Sequence, residues 1–263
     1  VNFKPLSLKP HRPRRWLWIV PLIAVVSAAL GLFAYRVYFP SSLRWVNFRD
    51  FRTNPEKYDQ FVLRPGMQCA GAPFAFPTTG AIFGLWDQSY RPGHRHQGLD
   101  IFPGGEIGLT GVYAAYPGYL TRLPEWVSTV IIRIPEDPLV PNRQIWNYYT
   151  HMADEDGDSF VAEAFPPGTE DVFVPAGTFL GYVGNYSGDP NAPTGIHLHF
   201  SVVKDEGGVF LNEINIRNTY DPSPYFNLAV NHHENSTALP VCPDGYIVQD
   251  WALLPDDRWA ASP

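Results

Sequence analysis

The chain has 263 residues, a net charge of −7 at neutral pH and two cysteines, and this length fits one domain of ordinary size plus an appendage. Residues 1–36 hold six basic and no acidic side chains, which leaves −13 on the remainder. So acidic an outer part argues against nucleic acid or another phosphate-rich polymer as a partner, and its simplest role is solubility.

Lys4, Lys9, Arg12, Arg14 and Arg15 fall in residues 1–15 with no acid among them, and the 20 residues Trp16 to Tyr35 then carry no charge. As a helix that run is about 30 Å long, the thickness of the hydrocarbon layer of a bilayer. Pro21 and Gly31 are tolerated in such helices. The expectation is a cytoplasmic segment at 1–15, a single transmembrane anchor at 16–36, and everything beyond on the outer side of the cytoplasmic membrane. A cleaved signal peptide is the alternative, with small residues at Ser27-Ala28-Ala29; the run is longer than a usual signal core, which favours the anchor.

Residues 37–74 read as a juxtamembrane connector. Trp45, Phe48, Phe51, Tyr58 and Phe61 suggest partial packing, with a short helix around Pro55 to Phe61 ended by Arg64-Pro65-Gly66. From Phe74 onward, short apolar runs separated by Gly, Pro and Asn fall near 107–113, 118–123, 127–134, 144–151, 179–183 and 195–203. That rhythm predicts a mainly β, antiparallel domain with little helix. Residues 227–263 form a C-terminal extension whose Trp251 and Trp259 are expected to pack back on the domain. Cys69 and Cys242 flank the β region; on the outer side they are free to pair, and a bridge would contribute roughly 4–5 kcal/mol through loop entropy. Two buried thiols are the other reading.

The chemistry concentrates in two stretches. In Gly195-Ile196-His197-Leu198-His199-Phe200 the apolar residues alternate with histidines, so a strand would point both imidazoles to one face, about 6.5–7 Å apart. They could share a metal, or one could bind it while the other moves a proton; a solvated strand face would show the same spacing. The second stretch is His94-Arg95-His96-Gln97-Gly98-Leu99-Asp100. Pro92-Gly93 and Pro103-Gly104-Gly105 leave no room for a helix here, and a straight strand would hold His96 and Asp100 about 13 Å apart, so a bend or bulge at Gly98 is needed. Two histidines, one carboxylate and a water are the donor set of a catalytic zinc site. Neither cysteine has metal-ligand spacing. The acids of Ala153 to Val172 do not follow a calcium loop and read as solvated.

His96-Gln97-Gly98-Leu99-Asp100 resembles the His-x-Gly-x-Asp motif of the lysostaphin and LytM-type zinc endopeptidases, and His197-Leu198-His199-Phe200 resembles their His-x-His-Phe motif. Tyr148-Tyr149-Thr150-His151-Met152, the glycine-rich turn from Pro175 to Asn185 and the closing segment from Asp221 to Phe226 are similar to the family's intermediate landmarks, in the same order. The likeness covers roughly 75–226. It implies an antiparallel groove-forming sheet, Zn2+ held by His96, Asp100 and His199, His197 as general base and His151 as a hydrogen-bond donor to the oxyanion. It also implies peptide bonds of peptidoglycan stems or cross-bridges as substrate. The division of roles between His197 and His199 comes from the resemblance, since spacing does not distinguish them. A non-catalytic module that binds wall or activates a partner hydrolase, or a metallopeptidase for proteins, would share much of this pattern, but all five chemical positions are filled here. His94, one pleat before His96 and outside the motif, reads as a rim or substrate-contacting residue. The segments 136–143, 153–172 and 186–194 are longer than the compact family pattern and border the groove.

Overall fold

A computed structural model describes residues 16–38, 42–88, 94–230 and 238–252. The uncharged run forms α1 (Trp16–Tyr38), and its stretch Trp18–Tyr35 is buried by nothing else in the chain. It is the one helix among the described residues long and apolar enough to cross a membrane.

The connector is more ordered than its composition suggests. Residues Ser42–Thr53 form α2, followed by a 3-10 helix at Pro55–Phe61, where the sequence places a short helix. Phe48 and Phe51 recur at helical spacing and meet an aromatic shelf on the sheet: Phe48 lies 5.2 Å from Phe83 and 4.5 Å from Phe102, centroid to centroid. Tyr58 closes the cluster against Phe51 at 5.6 Å. Asp50 accepts from Asn54 Nδ2 at 2.8 Å and Lys57 Nζ at 3.2 Å, which ties the helix to the turn that follows.

The strands are short, as turn residues dictate. In chain order they are β1 (Met67–Cys69), β2 (Ala81–Gly84), β3 (Leu99–Phe102), β4 (Gly111–Tyr113), β5 (Gly118–Thr121), β6 (Val130–Ile134) and β7 (Ile145–Thr150). They continue as β8 (Val172–Val174), β9 (Phe179–Tyr182), β10 (Leu198–Glu206), β11 (Val209–Phe210), β12 (Thr219–Tyr220) and β13 (Tyr246–Val248). Among the described residues, nine strands make the main sheet in the order β2-β3-β10-β7-β6-β5-β8, with β11 and β12 paired to β10. All of its pairings are antiparallel. The domain is thus mainly antiparallel β.

Long β10 lies at the centre, between β3 and β7. Its register sets His199 opposite Asp100 on one side and Thr150 on the other. One face of this sheet carries Leu99, Ile101, Tyr149, Leu198 and Phe200, all inaccessible to solvent, into the core with Phe74, Tyr225 and Phe226. With one face buried, a slip of one residue would bury polar groups, so burial fixes the register and with it the site on the opposite face.

Cys69 and Cys242 form a disulfide, bridging 173 positions and joining the two ends of the domain where β1 pairs with β13. Trp251 packs back on Tyr113 at 5.8 Å. Trp259 lies outside the described residues, as do residues 1–15. In the acidic loop, Asp154 Oδ1 accepts from the amides of Asp156 and Asp158 at 3.1 and 2.8 Å, so the first acid folds its own turn.

Candidate metal centre

The open side of β3, β10 and β7 forms the floor of a groove of about 1330 Å³. Its walls include Phe48 and Arg52 of α2 on one side and the Tyr186–Asp189 loop on the other.

His96 is held just before β3. Its Nδ1 donates to the Leu85 carbonyl at 2.9 Å, and its own carbonyl accepts from the Asp87 amide at 2.8 Å. The chain bends at Gly98, as the spacing of His96 and Asp100 requires, and a Cβ there would also collide with the Phe200 carbonyl oxygen, so glycine lets this segment pass against β10 as well. Asp100 then enters β3 with its carboxylate on the groove side.

Three atoms converge. His96 Nε2 lies 2.9 Å from Asp100 Oδ1, His199 Nδ1 lies 2.9 Å from the same oxygen, and the two nitrogens are 3.1 Å apart. All three residues are buried. Each ring is held from behind by an acceptor, Leu85 O for His96 and Glu213 Oε1 for His199 at 2.9 Å, so in the neutral rings the outer nitrogen carries the hydrogen. The inner nitrogens then present lone pairs to a carboxylate oxygen. Such a trio repels itself unless a positive charge lies among it, and it matches the chemistry of a zinc or similar cation site. The donor set therefore fits the metal that the sequence motifs imply.

Electrostatics point the same way. Burial would raise the pKa of Asp100, but His96 and His197 outweigh it and hold the carboxyl well below its usual range. Burial would lower the pKa of His199, but Glu213 and Asp100 outweigh it and raise the ring to about 10. The two carboxylates thus demand a cation at this position; a proton on Nδ1 meets the demand in part, and a divalent ion would meet it fully.

Two further imidazoles complete the site. His197 directly precedes β10; its Nδ1 donates to the Gly195 carbonyl at 2.6 Å, its ring stacks on Phe102 at 4.9 Å, and its Nε2 lies 3.4 Å from Asp100 Oδ1. His151 follows β7 with φ of +72°, a left-handed conformation uncommon outside glycine, which turns its ring back over the site. Its Nδ1 donates to the Tyr186 carbonyl at 2.5 Å, and its ring lies 4.6 Å from that of His197. Burial first, then the nearby His197 and His199, push its pKa down to about 3, so His151 is neutral near pH 7.

All five residues singled out in the sequence therefore meet in one groove. His94 lines the same groove; His232 and His233 lie outside the described residues. Two further participants lie outside the motifs: Ser201, on β10 two residues beyond His199 and in step with it on the polar side, and Glu213, in the segment between β11 and β12, which carries no sequence signal.

No protein-family model matches the chain, and no curated protein matches it. Among solved structures, the chain is similar to a LytM structure from Ruminococcus gnavus, with 23% identity, TM-score 0.33 and coverage of 49% of this chain and 45% of that one. It is similar to Helicobacter pylori Csd3 at 20% identity and TM-score 0.35, covering 72% and 39% of the respective chains. It is also similar to lysostaphin at 19% identity and TM-score 0.33, covering 63% and 56%. The chain thus spans roughly half or less of the length of these structures.

Proposed function

We propose that the chain is a zinc-dependent endopeptidase, anchored in the cytoplasmic membrane by α1, that hydrolyses peptide bonds in the stems or cross-bridges of peptidoglycan. The observation that carries this reading is the convergence of His96 Nε2, Asp100 Oδ1 and His199 Nδ1, with His197 and His151 beside them in an open groove. The five motifs in family order supply the reaction class and the polymer. The basic 1–15 segment and the apolar α1 supply the anchor and its orientation.

Zinc held by His96, Asp100 and His199 would supply Lewis acidity at the peptide carbonyl and a water with its pKa lowered to about 7. His197 is the base: with Nδ1–H fixed on the Gly195 carbonyl, its Nε2 lone pair faces the site, takes the proton of the attacking water and returns it to the departing amine. Phe102 stacked on that ring keeps Nε2 aimed. The oxyanion role implied for His151 requires a hydrogen on Nε2, because Nδ1–H is committed to Tyr186. Because the ring is neutral with Nδ1–H on Tyr186, Nε2 presents a lone pair, so in this geometry His151 accepts a hydrogen bond from the attacking water beside His197 and helps to orient it, in place of the oxyanion role the resemblance implies. A groove of about 1330 Å³ is larger than a small molecule fills and suits a polymer strand better.

The test uses the full chain in detergent, purified peptidoglycan and a denatured protein, each with and without a zinc chelator. The expected result is release of wall peptides with new amino termini, stopped by chelator and restored by zinc. Binding to wall without release would favour the non-catalytic module, and equal cleavage of the protein would favour a broader metallopeptidase.

A further inference from the structure

We propose that Glu213 is the positioning residue for His199, a carboxylate that holds the ring from behind so that Nδ1 faces the metal. The inference rests on the reading that His96, Asp100 and His199 bind zinc. Glu213 is only 9% exposed, and its Oε1 lies 2.9 Å from His199 Nε2 and 2.8 Å from Ser201 Oγ. Ser201 Oγ is itself 2.8 Å from Nε2, and Ser201 is fully buried. Carboxylate, hydroxyl and imidazole close a three-membered polar cluster on the far side of the ring from Asp100.

A buried carboxylate is costly unless paired, so its approach to this ring is a built feature. Its segment is fastened to the ligand-bearing chain: Gln97, between His96 and Gly98, donates from Nε2 to the Ile214 carbonyl at 2.7 Å. Asn212 Oδ1 accepts from the Ile214 amide at 2.9 Å, and Asn218 Nδ2 donates to the Asn212 carbonyl at 2.8 Å, which closes the loop around Glu213. Ser201 pins the same carboxylate to β10. Glu213 therefore bridges the two chain segments that bring the ligands together.

Its place behind Nε2 excludes it as a fourth ligand, since the converging atom of His199 is Nδ1. As an outer partner it fixes the tautomer and makes Nδ1 a stronger donor. With both rings neutral, Asp100 and Glu213 together balance a divalent charge, whereas His96 is backed only by the neutral Leu85 carbonyl. The structure thus makes His199 the ligand most dependent on its support.

The experiment measures zinc affinity of the full chain in detergent by competition with a chromophoric chelator, for wild type, Glu213→Gln and Glu213→Ala. Cobalt absorption spectra of each and thermal melts in excess chelator accompany it. Zinc affinity is expected to fall about 10–100-fold in Glu213→Ala and by a smaller factor in Glu213→Gln, which keeps an acceptor but loses the charge. The cobalt bands should shift in both. Wild-type affinity and spectrum in a folded Glu213→Gln would overturn the inference, as would a melting loss equal with and without zinc at unchanged affinity. Wild type that binds no zinc would sink the underlying reading as well, and that outcome is distinct from the other two.

Discussion

The site has two halves, and they differ in what stands behind each imidazole. His199 is backed by the Glu213 carboxylate and faces Asp100, whereas His197 and His151 are backed by the carbonyls of Gly195 and Tyr186. The first arrangement attracts positive charge: the ring is raised to about 10. The second fixes the direction of each ring, and for His151 burial pushes the pKa down to about 3. A carboxylate behind a ring suits a ligand, and a carbonyl behind a ring suits a group that must take up and release a proton. One sheet offers both because His197, just before β10, and His199, on it, face the same groove against different neighbours.

Removing the charged half should have the largest effect. Asp100→Ala leaves two lone-pair nitrogens and no carboxylate at the centre, so zinc affinity should fall by more than the about 100-fold typical of an outer partner, with no measurable peptide release. Metal content after dialysis checks it, and full zinc occupancy in that variant would refute the assignment of ligands. His197→Ala and His151→Ala act on the carbonyl-backed half. Each should keep its zinc while turnover falls by about 10²–10⁴-fold. Should His197→Ala lose zinc as completely as His199→Ala, the two halves would not be functionally distinct. A double variant no slower than the singles would show that the two rings work as one unit.

The imidazoles and the central carboxylate were legible from sequence for a chemical reason. Zinc is held by His, Asp, Glu or Cys, so His96, Asp100, His197 and His199 stand out alike, with only the family resemblance to divide the last two, and short apolar runs between Gly and Pro announce a strand rhythm whatever the fold. The supports do not stand out. Glu213 lies in an Asn-rich stretch with no periodic spacing, and it matters only because Gln97 and Ser201 draw it to His199. α2 is similar: Phe48 and Phe51 amid Arg, Asn and Asp make a weak helix until β2 and β3 supply Phe83 and Phe102 as a partner. The bend at Gly98 was legible, but its close approach to Phe200 was not, because that is a property of the folded sheet.

A smaller effect is expected far from the groove floor. The Cys69–Cys242 bridge joins the edges at β1 and β13, and serine at both positions should cost about 2–5 kcal/mol, or a Tm loss of roughly 5–15 °C. Zinc affinity should not change, because the core beneath β3, β7 and β10 holds the ligands without it. A loss of affinity in the folded variant would mean that strain passes from the domain ends to the site.

The smallest effect uses pH to separate the halves in metal-free protein kept in chelator. Below pH 6.5 the unfolded chain protonates His151, but the folded chain keeps the ring neutral down to about 3. Stability associated with His151 is therefore complete above 6.5 and is lost as pH falls. His199 runs the other way: the folded ring keeps its proton up to about 10 while the unfolded ring releases it near 6.5, so its stabilisation is complete below 6.5 and fades as pH rises toward 10. Thermal melts from about pH 5 to 10 should peak near neutrality and drop by a few degrees on each side, the acid limit being set to avoid titrating Asp100 and Glu213. His199→Ala should flatten the alkaline limb alone, and His151→Ala the acid limb alone. Zinc should also flatten the alkaline limb, because a divalent ion takes the place of the proton on Nδ1; an alkaline limb equally steep with and without zinc would mean that the Glu213 and Asp100 pair does not hold a charged ring.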